Sequence, residues 1–176
     1  MNNMKNAEVK RFLISLTIVI STLIVIDIFI GILGSKAMSY IPDYSDQFAK
    51  DNYTMTRMKD VDIIVIGSSR ASHHYDVEIL AERINNFTGN SYSIYNAGID
   101  GNFINHNACR IESILNRYCP KYIIFELSEY ELRSSDIMTS SIPQMAPYYK
   151  QIQPAKEYLD RVNCKTRILM QSSMYR

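Results

Sequence analysis

The run "FLISLTIVISTLIVIDIFIGIL", residues 12–33, constrains the chain more than any other feature. At about 1.5 Å per residue, an apolar helix of this length spans a hydrocarbon core of about 30 Å. Lys5, Lys10 and Arg11 lie just before it. The positive-inside rule then keeps the N-terminus cytoplasmic and sends everything after Gly34 outside. The rival reading is a cleaved signal peptide, with "SKA" ending at Ala37 as a weak site. Secretory apolar regions run about 7 to 15 residues, so an uncleaved anchor is expected. Asp27 interrupts the run. A carboxylate at a bilayer centre costs about 2.5 to 3.5 kcal/mol, and less toward the outer face. It reads as a tolerated acid, with contact to a polar group on a partner helix as the sharper alternative. The expected division is a cytoplasmic segment 1–11, an anchor 12–33, a linker 34–60 and an α/β domain 61–176.

The whole chain has 176 residues, enough for an anchor and one domain. Beyond Gly34 acidic and basic residues balance, which gives no electrostatic case for nucleic acid. Cys109, Cys119 and Cys164 form no C-x-x-C pair, so no zinc or redox motif is supported. Three buried free thiols are expected, with one disulfide and a spare thiol as the alternative.

In residues 61–66, "VDIIVI", the apolar residues are continuous from Ile63 and do not alternate, the pattern of a strand covered on both faces. A helix is expected from Val77 to Asn85 with Asp76 as N-cap, its apolar stripe running Val77, Leu80, Ile84, Phe87. "YSIYNA", residues 92–97, reads as a second strand, and residues 103–118 as a helix with a core stripe of Ile104, Ala108, Ile111, Leu115 and Tyr118. "KYIIFELS", residues 121–128, reads as a third buried strand. A proline-bearing polar loop follows, and then a helix from about Pro154 to Asn163. Strand, helix, strand, helix, strand predicts right-handed crossovers and an open three-layer α/β sandwich with a mainly parallel sheet, flavodoxin-like. Such sheets place their sites beyond the carboxyl ends of the strands. Those ends are "GSSRASHH", "NAGIDGN" and "ELSEYE".

The first of these concentrates reactive groups. A nucleophilic serine needs an exposed hydroxyl, a base and amide donors for an oxyanion. A strand stopping at Gly67 and turning sharply supplies the first and third, with Ser69 as nucleophile and Gly98 letting a second amide approach. His73 lies four residues beyond Ser69 and, in a helix, shares its face. It reads either as the base or, with His74, as a rim residue binding substrate. A metal site from His73, His74 and His106 is disfavoured, because adjacent imidazoles rarely ligate one ion. Arg70 either holds an acidic substrate group or pairs with Asp100 or Glu126. Asp100 and Asn102 either orient the turn by Asx hydrogen bonds or join the site. No cofactor is expected.

"IVIGSSRA" resembles the first block of the SGNH, or GDSL-like, hydrolase superfamily, whose first strand ends in Gly-Asp-Ser. "YNAGIDGN" is similar to its second block. The resemblance covers roughly residues 61–128. It implies an SGNH-like fold with Ser68 at the aspartate position, Ser69 as nucleophile and Gly98 as an oxyanion donor. The third block, Gly-x-Asn-Asp, is missing after "FELSEYE", and Asn102 is the expected substitute. The family's Asp-x-x-His pair is also missing, and no histidine follows His106. The general base is therefore expected beyond Arg176, and the chain to be a C-terminal truncation that is inactive or weak alone. The Gly-Ser-Ser variant looks like membrane-anchored relatives that handle acyl groups on cell-surface polysaccharides.

The expected function is a membrane-anchored esterase or O-acyltransferase acting on acyl groups of an envelope glycan. Ser69, Gly98 and Asn102 would be catalytic; Ser68, Arg70, His73, His74 and Asp100 would bind substrate. The alternative is a non-catalytic anchored module that binds a glycan or a partner. A nucleotide-binding reading of "GSSR" is weaker, since the glycine spacing and lysine of phosphate loops are missing.

Overall fold

The computed structural model describes residues 2–39, 47–129 and 142–173. Helix α1, Asn2–Ser39, contains the apolar run. Its stretch Glu8–Gly34 is long and apolar enough to cross a membrane. Its large side chains, from Phe12 to Leu33, are exposed along the whole length, so no protein core accounts for their apolarity. Thr17 and Thr22 return their hydroxyls to the carbonyls of Leu13 and Ile18, which hides two polar groups that an apolar solvent would penalise.

The domain is α/β. Strands β1 (Ile63–Ile66), β2 (Ile94–Asn96) and β3 (Tyr122–Phe125) form one parallel sheet in the order β2-β1-β3. Ile63 registers with Ile94 on one side and with Tyr122 on the other. β1 is central and wholly buried, as its unbroken Ile-Ile-Val-Ile requires. β3 is an edge strand, and Tyr122 and Phe125 are exposed on it. The expectation of a third fully buried strand therefore fails.

Helices α3 (Ser69–His74) and α4 (Val77–Thr88) connect β1 to β2, and α5 (Ile104–Leu115) connects β2 to β3. Asp76 caps α4 as expected, accepting from the amides of Glu78 and Ile79, and Gly89 closes it in the left-handed region. The expected stripe of α4 is not buried, and Phe87 is almost fully exposed.

The larger difference concerns the expected linker. Residues 47–56 form helix α2, Gln47–Thr56, which packs against α5. It escapes a hydropathy reading because its buried side is polar: Asp51, Asn52 and Thr54 go inside with Ala49 and Met55. The facing side of α5 is polar too, with His106, Asn107, Arg110 and Ser113 buried beside Cys109 and Ile114. Ala108 and Leu115, expected in the core, are exposed. Two polar faces have found each other, and neither shows as an apolar stripe.

On the sheet, Ile64, Ile66 and Ala97 pack with Met58 and Ile114. A second apolar cluster joins Met55 and Cys109 to the C-terminal elements. These are α6 (Ile142–Met145), a 3-10 turn at Ala146–Tyr148, α7 (Gln153–Val162) and α8 (Cys164–Leu169). The expected polar loop thus contains two helical turns, and its residues 130–141 lie outside the described ones. All three thiols are free, but only Cys109 is buried, its pKa pushed up to about 12 by desolvation. Cys119 and Cys164 are exposed, contrary to expectation.

The C-terminal end returns to α1. Ser172 donates its hydroxyl to Asp27 Oδ1 at 2.8 Å. Gly31 lies under Ser173: a Cβ there would sit 2.4 Å from the Ser173 hydroxyl. Asp27 has a polar partner after all, from its own chain.

Candidate functional site at the carboxyl edge of the sheet

The site begins where β1 stops. Gly67 is needed for closeness, since a Cβ would meet Glu126 O at 2.8 Å and Ala71 Cβ at 2.9 Å. The chain then turns directly into α3. Ser68 occupies the N-cap without a side-chain cap bond, its hydroxyl 3.5 Å from Glu126 Oε2. Ser69 is the first residue of α3 and is exposed, and its hydroxyl makes no hydrogen bond among the described residues. Arg70 pairs with Glu126 at 2.6 Å across the ends of β1 and β3. That is the structural one of its two expected roles.

Neighbouring backbone fixes α3 from the β2 side. The pairing of β2 with β1 continues past the strand, through Ala97 N–H to Val65 O at 2.7 Å and Ile99 N–H to Gly67 O at 3.1 Å. The segments around Gly67 and Gly98 are therefore adjacent. Asn96 donates its side-chain amide to Ala71 O at 2.8 Å and to Tyr75 O at 3.0 Å, which clamps the end of α3 to β2. Asn96 was not singled out from the sequence, although it stands inside "YNAG".

Gly98 does not serve as expected. Its N–H donates to Asn96 Oδ1 at 2.8 Å and is not offered to a ligand. Its role is contact: a Cβ would lie 2.3 Å from Ser72 N and 2.6 Å from Ala71 C. Asn102 does not serve as expected either. It is buried, donates to Asn107 Oδ1 at 2.8 Å and meets His106 Nδ1 at 2.7 Å.

His73 Nε2 lies 2.9 Å from Asp100 Oδ2. The hydrogen bond from His73, with help from Gln47 and against some desolvation, holds the Asp100 carboxyl below its ordinary range. Asp100 is further fixed by its own N–H, which donates to Gln47 Oε1 at 2.7 Å. His73 follows Ser69 by one helical turn, so the two share a face of α3, and helical side chains lean back toward the N-terminus. Ser69 and His73 thus stand one turn apart on α3 with no hydrogen bond between them, and His73 in turn meets Asp100. His74 is exposed beside them. His106 is buried on α5, and the described residues hold no group of three His, Cys, Asp or Glu able to bind a metal.

Behind the edge lies a buried charged network. Asp51 Oδ1 meets Arg110 Nε at 3.0 Å and Asp51 Oδ2 meets His106 Nε2 at 3.3 Å. Arg110 also donates to Ala97 O at 2.6 Å, which ties the network to the end of β2. Burial works against the Asp51 carboxylate, but His106, Arg110 and Tyr148 outweigh it and lower its pKa. The Tyr148 hydroxyl is pushed up by burial and by Asp51. Lys50, near this network, reaches Gly98 O at 3.3 Å, and burial with the Arg110 charge lowers its pKa.

No family model, curated protein or solved structure matches this chain.

Proposed function

We propose that the chain is a membrane-tethered serine ester hydrolase or O-acyltransferase of SGNH-like type, acting on acyl esters of an envelope glycan. The observation that carries this reading is the Ser69, His73 and Asp100 sequence of groups, with an exposed hydroxyl at one end and the 2.9 Å imidazole–carboxylate contact at the other. The order β2-β1-β3 fits a flavodoxin-like open sandwich, which is the finer architecture proposed here. The basic residues before the apolar run favour a cytoplasmic N-terminus and a domain outside.

In this mechanism Ser69 Oγ attacks the ester carbonyl carbon and passes its proton to His73. Asp100 holds the ring in one tautomer and stabilises the imidazolium, the task of the carboxylate in a Ser-His-Asp triad. The alkoxide leaves with the proton from His73, and an acyl-serine remains. Water or an acceptor hydroxyl then attacks the acyl group and regenerates Ser69. In this scheme the amides at the start of α3, beside Ser69, serve as the oxyanion donors. A base supplied from beyond Arg176, which the resemblance implies, is replaced in this scheme by His73.

A fluorophosphonate label on the membrane-extracted protein tests the reading. Label is expected on Ser69, none on Ser69→Ala, and labelling slowed about 10²- to 10⁴-fold in His73→Ala. Equal labelling of all three forms removes Ser69 from the mechanism. One observation favours the second reading, a non-catalytic glycan- or partner-binding module: the Gly98 and Asn102 amides are both committed within the protein. On that reading the wild type takes no label at all.

A further inference from the structure

Where the domain meets α1 the two enclose a cleft of about 440 Å³, within the size range of small-ligand sites. One wall is α1 itself, from Asp27 to Lys36; the other is Lys150, Gln151 and Ser173. Gly31 lets the walls meet, since Ser173 sits where a side chain would stand.

Polarity along the α1 wall changes in one direction. Residues four apart share a face of a helix, so Ile28, Ile32 and Lys36 stand in line. Ile28 and Ile32 are both exposed. About 12 Å along the axis from Ile28, the line ends in the exposed ammonium group of Lys36. Across the cleft Lys150, also exposed, supplies a second ammonium group. Its hydrogen bond goes to a neutral acceptor, Gln171 O at 3.3 Å, which leaves its positive charge uncancelled. The acid in the lining, Asp27, accepts from Ser172 and lies about 14 Å along α1 from Lys36. The lining thus carries two positive charges against one negative.

The level of the cleft matters as much as its charge. Glu8–Gly34 is long and apolar enough to cross a membrane, and Lys36 stands just past its end. With α1 inserted, the cleft opens where acyl chains give way to headgroups. A soluble anion there would leave the isoleucines uncovered, and a wholly apolar molecule would leave two ammonium groups unmatched. A zwitterionic head would bring a third ammonium group beside them. A hydrocarbon chain ending in a net negative head matches the whole wall.

We propose that this cleft binds one anionic phospholipid, its phosphate between Lys36 and Lys150 and the first part of an acyl chain along Ile32 and Ile28. The inference rests on the membrane tether of the reading given above and makes no use of Ser69.

Photo-crosslinking in vesicles tests the site. The full chain is reconstituted in phosphatidylcholine vesicles carrying a trace of phosphatidylglycerol with a diazirine in its acyl chain, or of phosphatidylcholine with the same label. Flotation checks insertion, and mass spectrometry of the digest locates the adduct. An adduct on the Ile28 to Ile32 stretch is expected from the phosphatidylglycerol probe, with a yield at least about fivefold above that of the phosphatidylcholine probe. Lys36→Gln and Lys150→Gln should each lower that yield about fivefold. Both lysines are exposed, so the variants should fold, which circular dichroism checks. Lys150→Arg should keep the yield, and Lys59→Gln, which removes an exposed lysine outside the cleft, should leave it unchanged. Inorganic phosphate should lower it no more than sodium chloride of equal ionic strength. Equal yields from the two probes, yields unchanged in both cleft variants, or a specific loss with phosphate overturns the proposal. Flotation without lipid preference removes the site and keeps the tether; a chain that does not float removes both.

Discussion

Gly98 shows how one residue can be found by sequence and misjudged in role. The atoms that a side chain would strike are main chain, Ser72 N at 2.3 Å and Ala71 C at 2.6 Å, and not the movable tip of a side chain. Gly98→Ala must therefore push α3 away from β2. Overpacking of this kind costs about 1 to 3 kcal/mol, and a lowered urea midpoint with reduced fluorophosphonate labelling of Ser69 is expected. An unchanged midpoint would show that α3 is looser than its contacts imply. The letter Gly told of a tight place but not of whose oxygen its N–H would meet, and the acceptor, Asn96, stood two residues away unnoticed. Arg70 was more legible, because opposite charges at neighbouring strand ends attract at short range, and Glu126 was one of two named partners. The contact of His73 with Asp100 was not legible, since it depends on where α3 ends against the turn after β2.

The opposite edge of the sheet is held by one carboxylate. Asp62, just before β1, accepts the backbone N–H of Ser93 at 2.9 Å and pairs with Lys121 at 2.9 Å, so it joins the starts of all three strands. The Ser93 amide above all, then Lys121 and the Ser93 hydroxyl, lower its pKa from 3.8 to about 2. The folded state thus holds the proton less tightly than the unfolded one. The stabilisation is complete above 3.8 and disappears as pH falls toward about 2. Asp62→Asn should be less stable than the wild type at neutral pH, and the gap in urea midpoint should close over that acid window. A gap independent of pH would deny the carboxylate this role. Elements built on apolar alternation or continuity, such as β1 and the crossover order, were legible in the sequence. Helix α2 was not, because its burial is driven by charge pairing and hydrogen bonds between Asp51, Thr54 and Arg110, and hydropathy carries no trace of such a match.

The molecule as a whole has a long apolar helix and a domain that touches it. The contact is specific: Ser172 bonded to Asp27, and Ser173 seated over Gly31. A cysteine pair replacing Asp27 and Ser172 should therefore cross-link within one chain on mild oxidation, read by mass spectrometry of the digested protein. Failure to cross-link would mean that the domain swings free of its helix. The same contact bears on how the apolar helix would fit a bilayer. The domain shields one face of the helix at Asp27 and Gly31, while Ile28, Phe29 and Leu33 stay exposed on the others. At about 1.5 Å per residue the run 12–33 is roughly 33 Å long, enough for a core of about 30 Å. In a bilayer, Ser172 and Ser173 would ride against the helix about 9 Å short of the end of that run, so the edge of the domain would press into the headgroup zone and displace lipid there.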